Sequence, residues 1–149
     1  MSRVLVSACL LGEACRYDGQ SKETDRVQAW AEAKVKEGGT LVAVCPEELG
    51  GLDTPRPPAQ LIGGDGAAVL RGAAQVETET DNVTGAFVAG AIRAANRGSG
   101  AKEAVLKARS PSCGCGEVWQ DGAVSPGDGV FAALLKSRGV SVRSDEDLP

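Results

Sequence analysis

The sequence predicts an α/β domain: a three-layer, Rossmann-like arrangement around a mostly parallel sheet. Two observations predict it. Short aliphatic runs of strand length alternate with segments of helical period along the whole chain. Hydrophobic residues make up 42% of the sequence while aromatics are only 3%, so the core must be built from small aliphatic side chains. Such a core suits helices laid closely on a sheet. At 149 residues the chain is expected to be one domain, residues 1–149, able to bury a real core.

The elements follow in order. Residues 3–9 read as a buried strand built on Val4, Leu5 and Val6. A glycine-containing loop follows, through Gly12, Cys15 and Gly19. Over residues 25–37, Val27, Trp30, Ala31 and Val35 recur on one helical face, and Gly38 and Gly39 end the helix. Residues 40–44 give a second buried strand, which runs into Cys45, Pro46 and Glu47. Residues 48–65 carry Gly50, Gly51, Pro55, Pro57, Pro58, Gly63 and Gly64, and read as one long loop stiffened by proline. Residues 68–70 and 74–77 are expected to pair as a short hairpin.

Asp81 predicts the N-cap of a helix reaching Asn96, with Val83, Phe87, Ala91 and Ala94 or Ala95 on its buried face. Residues 104–107 form a third buried strand, feeding the segment 108–116. Residues 117–124 read as a small hairpin or loop excursion. A last helix is predicted from Ser125 as cap, Pro126 at the first helical position and Asp128 near the positive end. Val130, Phe131, Leu134 and Leu135 supply its apolar face, and residues 140–142 close the chain as a short strand.

Composition removes several function classes. The formal net charge is −4, which gives no broad attraction for a phosphate backbone. No apolar run is long enough for a membrane span, and the amino-terminal apolar run is too short for a signal peptide. A cytoplasmic location is therefore expected. Five cysteines is an odd number, and cytoplasmic thiols serve as ligands, catalysts or small apolar residues more often than as disulfides. There is no histidine, so neither a Ser–His–Asp nor a Cys–His pair can exist within the chain, and a His-ligated zinc site is excluded. Any general acid or base must be Glu, Asp, Lys, Tyr or Cys.

Three cysteines occupy equivalent places. Cys9 closes the first strand, Cys45 closes the second, and Cys113 lies just past the third. Ligands of parallel sheets bind beyond the carboxyl ends of the strands, so the three thiols are expected at one edge. Buried gap-filling cysteines are the alternative. A three- or four-thiolate site suits zinc or an iron–sulfur cluster. Paired Cys-x-x-Cys knuckles are absent, and the only close pair is Cys113 with Cys115. Widely spaced ligands on a rigid sheet fit a cuboidal cluster better, and three thiolates would leave one iron open as a Lewis acid.

Glu47, two residues after Cys45, is placed to activate water near such a metal; as a solvated loop residue it would do nothing. Ser110 and Ser112 flank Pro111 beside Cys113 and either hold substrate or water or close the turn. Arg16, Tyr17 and Asp18 on the first loop and Arg56 in the proline-rich loop are candidate substrate contacts, the alternative for Arg16 and Asp18 being a surface ion pair.

At these residues the sequence resembles a known family. Ser7-Ala8-Cys9-Leu10-Leu11-Gly12 with Cys15-Arg16-Tyr17-Asp18-Gly19 is similar to the opening of the bacterial thiouracil desulfidases. Val44-Cys45-Pro46-Glu47, the stretch from Gly50 and Gly51 to Thr54-Pro55-Arg56-Pro57-Pro58, and Ser110-Pro111-Ser112-Cys113-Gly114 look like its other signatures. The resemblance implies a non-redox desulfuration of a thiolated pyrimidine on a 4Fe–4S cluster held by three cysteines, which would be Cys9, Cys45 and Cys113. Glu47 would be the acid/base and Ser110 its assistant, while Cys15 would lie in the pocket wall. Relatives acting on thiolated transfer RNA carry an additional domain, so a free base or nucleoside, such as 2- or 4-thiouracil or its nucleoside, is the expected substrate. Two competing readings stay open: a zinc or iron–sulfur binding module without turnover, and a thiol oxidoreductase using Cys113 and Cys115.

Overall fold

The structure, a computed structural model, describes residues 2–149. A parallel sheet runs in the order β2-β1-β5-β8, formed by β1 (Arg3–Ser7), β2 (Thr40–Val44), β5 (Glu103–Leu106) and β8 (Ser141–Ser144). β1 is central, with β2 on one side and β5 on the other. The chain therefore reverses its winding direction at β1, and the crevice beyond the carboxyl ends of β1, β2 and β5 is the topological switch point where ligands of such sheets bind.

Alternation along β1 explains the layers. Val4 and Val6 face α1 (Asp25–Lys36), together with Val27 and Trp30, while Leu5 faces the opposite layer of α4 (Thr84–Arg97) and α5 (Val130–Ser137). Phe87, Ala91 and Ala94 of α4 and Phe131 and Leu135 of α5 are buried there. Thr24 caps α1, its hydroxyl accepting from the Val27 amide.

A second, mixed sheet was foreseen only in its hairpin, which falls at residues 117–126 where a small hairpin or loop excursion was expected over 117–124. It runs β4-β3-β6-β7, from β3 (Gln60–Ile62), β4 (Gln75–Glu77), β6 (Glu117–Gln120) and β7 (Ala123–Pro126). β3 arises inside the expected long loop, and the one-turn helix α2 (Pro46–Leu49) overlaps its start. The expected hairpin over residues 68–77 is instead a helix, α3 (Gly66–Leu70), followed by β4, which pairs antiparallel with β3. Asp65 accounts for the helix: its carboxylate accepts from the Ala68 amide, an N-cap signal.

Three boundaries shift. β1 ends at Ser7, and residues Ala8–Leu11, Cys9 among them, form a 3-10 turn. Asp81 is not a helix cap; its amide is taken by the Thr78 hydroxyl, and α4 begins at Thr84, whose amide donates to Asn82 Oδ1. Ser125 and Pro126 do not start the last helix. Both pair with β6, and α5 begins at Val130 behind Gly129. Asp128 serves a different purpose, accepting from the Gly116 amide and the Lys136 ammonium, each at 2.9 Å. No helix of the described residues is long and apolar enough to cross a membrane.

Candidate metal and catalytic site

A cavity of about 680 Å³ opens at the carboxyl edge of the parallel sheet. Cys9, Cys15, Cys45 and Cys113 all line it, with Glu47, Arg56, Ser110 and Ser112. Each comes from a separate turn. Cys9 sits in the 3-10 turn after β1. Cys45 is the N-cap residue of α2, and Pro46 occupies that helix's first turn, where its missing N–H costs nothing. Cys113 lies in the turn that follows β5, closed by the Gly114 amide donating to the Ser110 carbonyl at 2.8 Å. Gly114 has to be glycine: a Cβ there would approach the Ser110 carbonyl oxygen to 2.8 Å. At the entry to the turn Arg109 adopts φ 63, a left-handed backbone held by a bidentate pair with Glu146 at 2.7 and 2.6 Å.

The hydroxyls of the turn form a directed chain. Ser110 Oγ accepts from the amides of Ser112 and Cys113, at 3.2 and 3.1 Å. Ser112 Oγ donates to Glu47 Oε2 at 2.9 Å and lies 3.0 Å from Ser110 Oγ. With the Ser112 proton directed at the carboxylate, Ser110 is the donor to Ser112. Glu47 is held from its other side by Arg56, whose Nε donates to Oε1 at 2.9 Å. Both side chains are largely buried, 7% exposed for Arg56 and 14% for Glu47.

The thiols are electrostatically expensive to ionise without a metal. Burial pushes Cys113 up to about 12, against hydrogen bonds with Ser7 and Ser112 that pull it down. Cys15 is pulled down by its hydrogen bond with Cys45, but its hydrogen bond with Cys9 and burial outweigh this and carry it to about 12. Cys45 is raised by its hydrogen bond with Cys15 and then by burial. At neutral pH these are thiols, and a cation must displace their protons to bind. The donor set is soft sulfur throughout, which fits zinc or an iron–sulfur cluster. Among the described residues no three His, Cys, Asp or Glu side chains meet closely enough to grip a single ion. The thiols surround a volume, and a group with its own extent fits them better than a bare ion does.

The remaining sequence-derived candidates separate. Arg16 and Tyr17 line the cavity, the guanidinium 5.6 Å from the ring centroid. Asp18 is absent from the wall; it pairs with Arg16 at 3.7 Å and accepts from the Gln20 amide. Cys115 also lies off the cavity, its thiol 3.5 Å from the Val142 carbonyl. Lys22, Lys107 and Trp119 are among the wall residues that escaped the sequence reading. Lys107 directly follows β5, and burial lowers its ammonium pKa. Trp119 projects from β6 and is 47% exposed. The signal for both was position, since each belongs to a segment that borders Ser110 and Cys113.

The chain is similar to known proteins along nearly its whole length. A family model described as 2-thiouracil desulfurase matches residues 4–147. An uncharacterized protein of Bacillus subtilis strain 168, YbbK, is 39% identical over 97% of this chain and 97% of its own length. The solved structure of a 4Fe–4S-dependent thiouracil desulfidase, TudS, is also 39% identical. It covers 100% of this chain and 94% of that chain with a TM-score of 0.81.

Proposed function

The chain belongs to the 2-thiouracil desulfurase family, and from that premise we propose that it exchanges the thiocarbonyl sulfur of a thiolated pyrimidine base or nucleoside for oxygen, releasing hydrogen sulfide. The observation that carries this reading is the hydrogen-bonded chain from Ser110 through Ser112 to Glu47, which ends in the cavity that the cysteines line. Cys9, Cys45 and Cys113 would hold a 4Fe–4S cluster. When bound, it would supply a soft Lewis acid that prefers thiocarbonyl sulfur to carbonyl oxygen and polarises the C=S bond.

The protein's own residues do the rest. Glu47 accepts a proton from water at the free lone pair of one carboxylate oxygen, and the water oxygen bonds to the thiocarbonyl carbon. Arg56 and Ser112 fix the plane of that carboxylate, so its lone pairs point in one direction. The tetrahedral adduct then breaks its carbon–sulfur bond. Sulfur leaves with the bonding pair and takes two protons, one returned along the Glu47–Ser112–Ser110 chain and the other lost from the adduct hydroxyl as its oxygen becomes the carbonyl. Overall C=S and H2O become C=O and H2S. The cavity is walled in part by Pro58, Ile62 and Trp119, which suits a flat ring.

The test is anaerobic purification, iron and sulfide analysis, and incubation with 2- and 4-thiouracil and their nucleosides. About four irons per chain and release of sulfide are expected. Glu47→Gln is expected to keep the iron and to lose turnover by on the order of 10²–10⁴. A colourless zinc protein, or iron without sulfide release from any of these substrates, overturns the reading.

A further inference from the structure

Arg56 stands out because its guanidinium is almost wholly committed before any ligand arrives. A guanidinium has five N–H donors. Nε goes to Glu47 Oε1 at 2.9 Å, Nη1 to the Asp53 carbonyl at 3.2 Å and to Thr54 Oγ1 at 2.8 Å, and Nη2 to the Cys15 carbonyl at 2.9 Å. The Arg56 amide adds a fifth attachment, to the Tyr17 carbonyl at 2.7 Å. The partners come from three separate segments: helix α2, the proline-rich loop, and the loop that follows β1.

That last loop depends on Arg56. Between Cys15 and Gln20 its other backbone bonds stay within the loop, from Cys15 to Glu13, from Arg16 to Gln20 and from Gly19 to Arg16. The ties that reach outward from the Cys15 and Tyr17 backbone run to Arg56, with one more from the Cys45 thiol to the Cys15 carbonyl at 3.6 Å, while the Cys15 side chain itself bonds with Cys9 and Cys45. Arg16 and Tyr17 form part of the cavity wall. One side chain therefore fixes both the carboxylate that acts and the loop that borders its substrate.

We propose that Arg56 is a positioning residue: it locks the Glu47 carboxylate and the loop 15–18 to each other, and it does not serve as a substrate contact. The catalytic half of this statement rests on the function proposed above; the mechanical half does not. A planar fork is essential to the role, because it must reach Glu47 and Cys15 in divergent directions. Lysine keeps the charge and cannot span both.

The experiment uses Arg56→Lys and Arg56→Ala in the cluster-loaded enzyme, with iron content checked first. Misplacing a catalytic group by an ångström costs about 10²-fold, so kcat of Arg56→Lys is expected to fall about 100-fold with KM within a few-fold of the parent. Amide hydrogen exchange at residues 15–18 is expected to accelerate in both variants, and guanidinium added to Arg56→Ala is expected to restore part of the lost kcat. A raised KM with an unchanged kcat would assign Arg56 to the substrate and overturn the proposal. Unchanged exchange in the loop overturns it equally, as does loss of iron from both variants with the loop still protected. If Arg56→Ala does not fold, Arg56→Lys carries the test. A parent enzyme that releases no sulfide sinks the functional reading alone, since the exchange measurement needs no turnover.

Discussion

Replacing Gly90 with alanine is expected to damage both stability and turnover, although the same change five residues earlier in α4 is expected to help. Glycine inside a helix is ordinarily about 0.5–1 kcal/mol worse than alanine. Gly85 follows that rule, because a Cβ there would have nothing within 4 Å. Gly90 does not. Its Cβ would run into the Pro46 carbonyl oxygen, well inside contact distance, and would stand 2.9 Å from both the Gly50 amide nitrogen and the Pro46 carbonyl carbon. These are backbone atoms, so no rotamer can make room. Optimal carbon contacts lie near 3.5–4.0 Å, so α4 and α2 would have to separate by on the order of an ångström.

Overpacking of this kind costs about 1–3 kcal/mol, more than the helix-propensity gain of about 0.5–1 kcal/mol offsets. Helix α2 carries Glu47 and begins at the Cys45 cap, so the separation would also move the carboxylate relative to Ser112. A shift of that size lowers kcat by on the order of 10²-fold. Urea unfolding and sulfide release would be measured for Gly85→Ala and Gly90→Ala side by side. Gly90→Ala as stable and as active as the parent would refute the argument that backbone contact between these helices sets the site.

Other substitutions and conditions separate the remaining ideas. Cys115→Ser is expected to keep iron content and turnover, because this thiol lies off the cavity beside the Val142 carbonyl; a dead variant with full iron would reinstate thiol exchange through Cys113 and Cys115. Without its cluster the protein is expected to lose stability above about pH 9. Cys113 is raised from its ordinary 9.0 to about 12 in the fold, so between those values the unfolded chain gives up its proton first and stability falls by about 1.4 kcal/mol per pH unit for that thiol. Below about pH 9 both states hold the proton and the contribution is intact. Urea midpoints across this range, compared with Cys113→Ala, would expose a flat profile if the thiol is not buried as described.

The parallel sheet was legible because its strands are short aliphatic runs bounded by glycine, and the helix over 25–37 because its period and its glycine stop agree, the structure ending it at Lys36. The second sheet, its hairpin apart, was not. β3 and β4 are three residues each, too short for alternation to register, and they gain their identity only by pairing with each other and with β6. Ser125 and Pro126 show the opposite failure. They carry a sound helix-start signal, yet pairing with Val118 and Glu117 outweighs it and leaves proline on an edge strand, where its missing donor is harmless. In the site, the convergence of Cys9, Cys45 and Cys113 followed from strand order alone. The bond between Ser112 and Glu47 did not, since it joins groups 65 residues apart through side-chain direction that no periodicity encodes. The commitment of Arg56 to Glu47 and Cys15 was hidden for the same reason.

The low aromatic content and the many glycines belong to one design. A site assembled from four turns needs those turns to approach one another at backbone distance, and large side chains would hold them apart. Gly50 against Ala86, Gly90 against Pro46, and Gly114 against Ser110 are the places where main chain meets main chain. They brace the helix bearing Glu47 and the turn bearing Ser110, Ser112 and Cys113. Side-chain packing yields gradually to substitution, because rotamers can adjust; backbone contact does not. The position of the carboxylate relative to the serine hydroxyls is therefore fixed by small residues that never touch substrate, and substitutions at those glycines should disturb chemistry at least as strongly as substitutions at the exposed wall residues Tyr17 and Trp119.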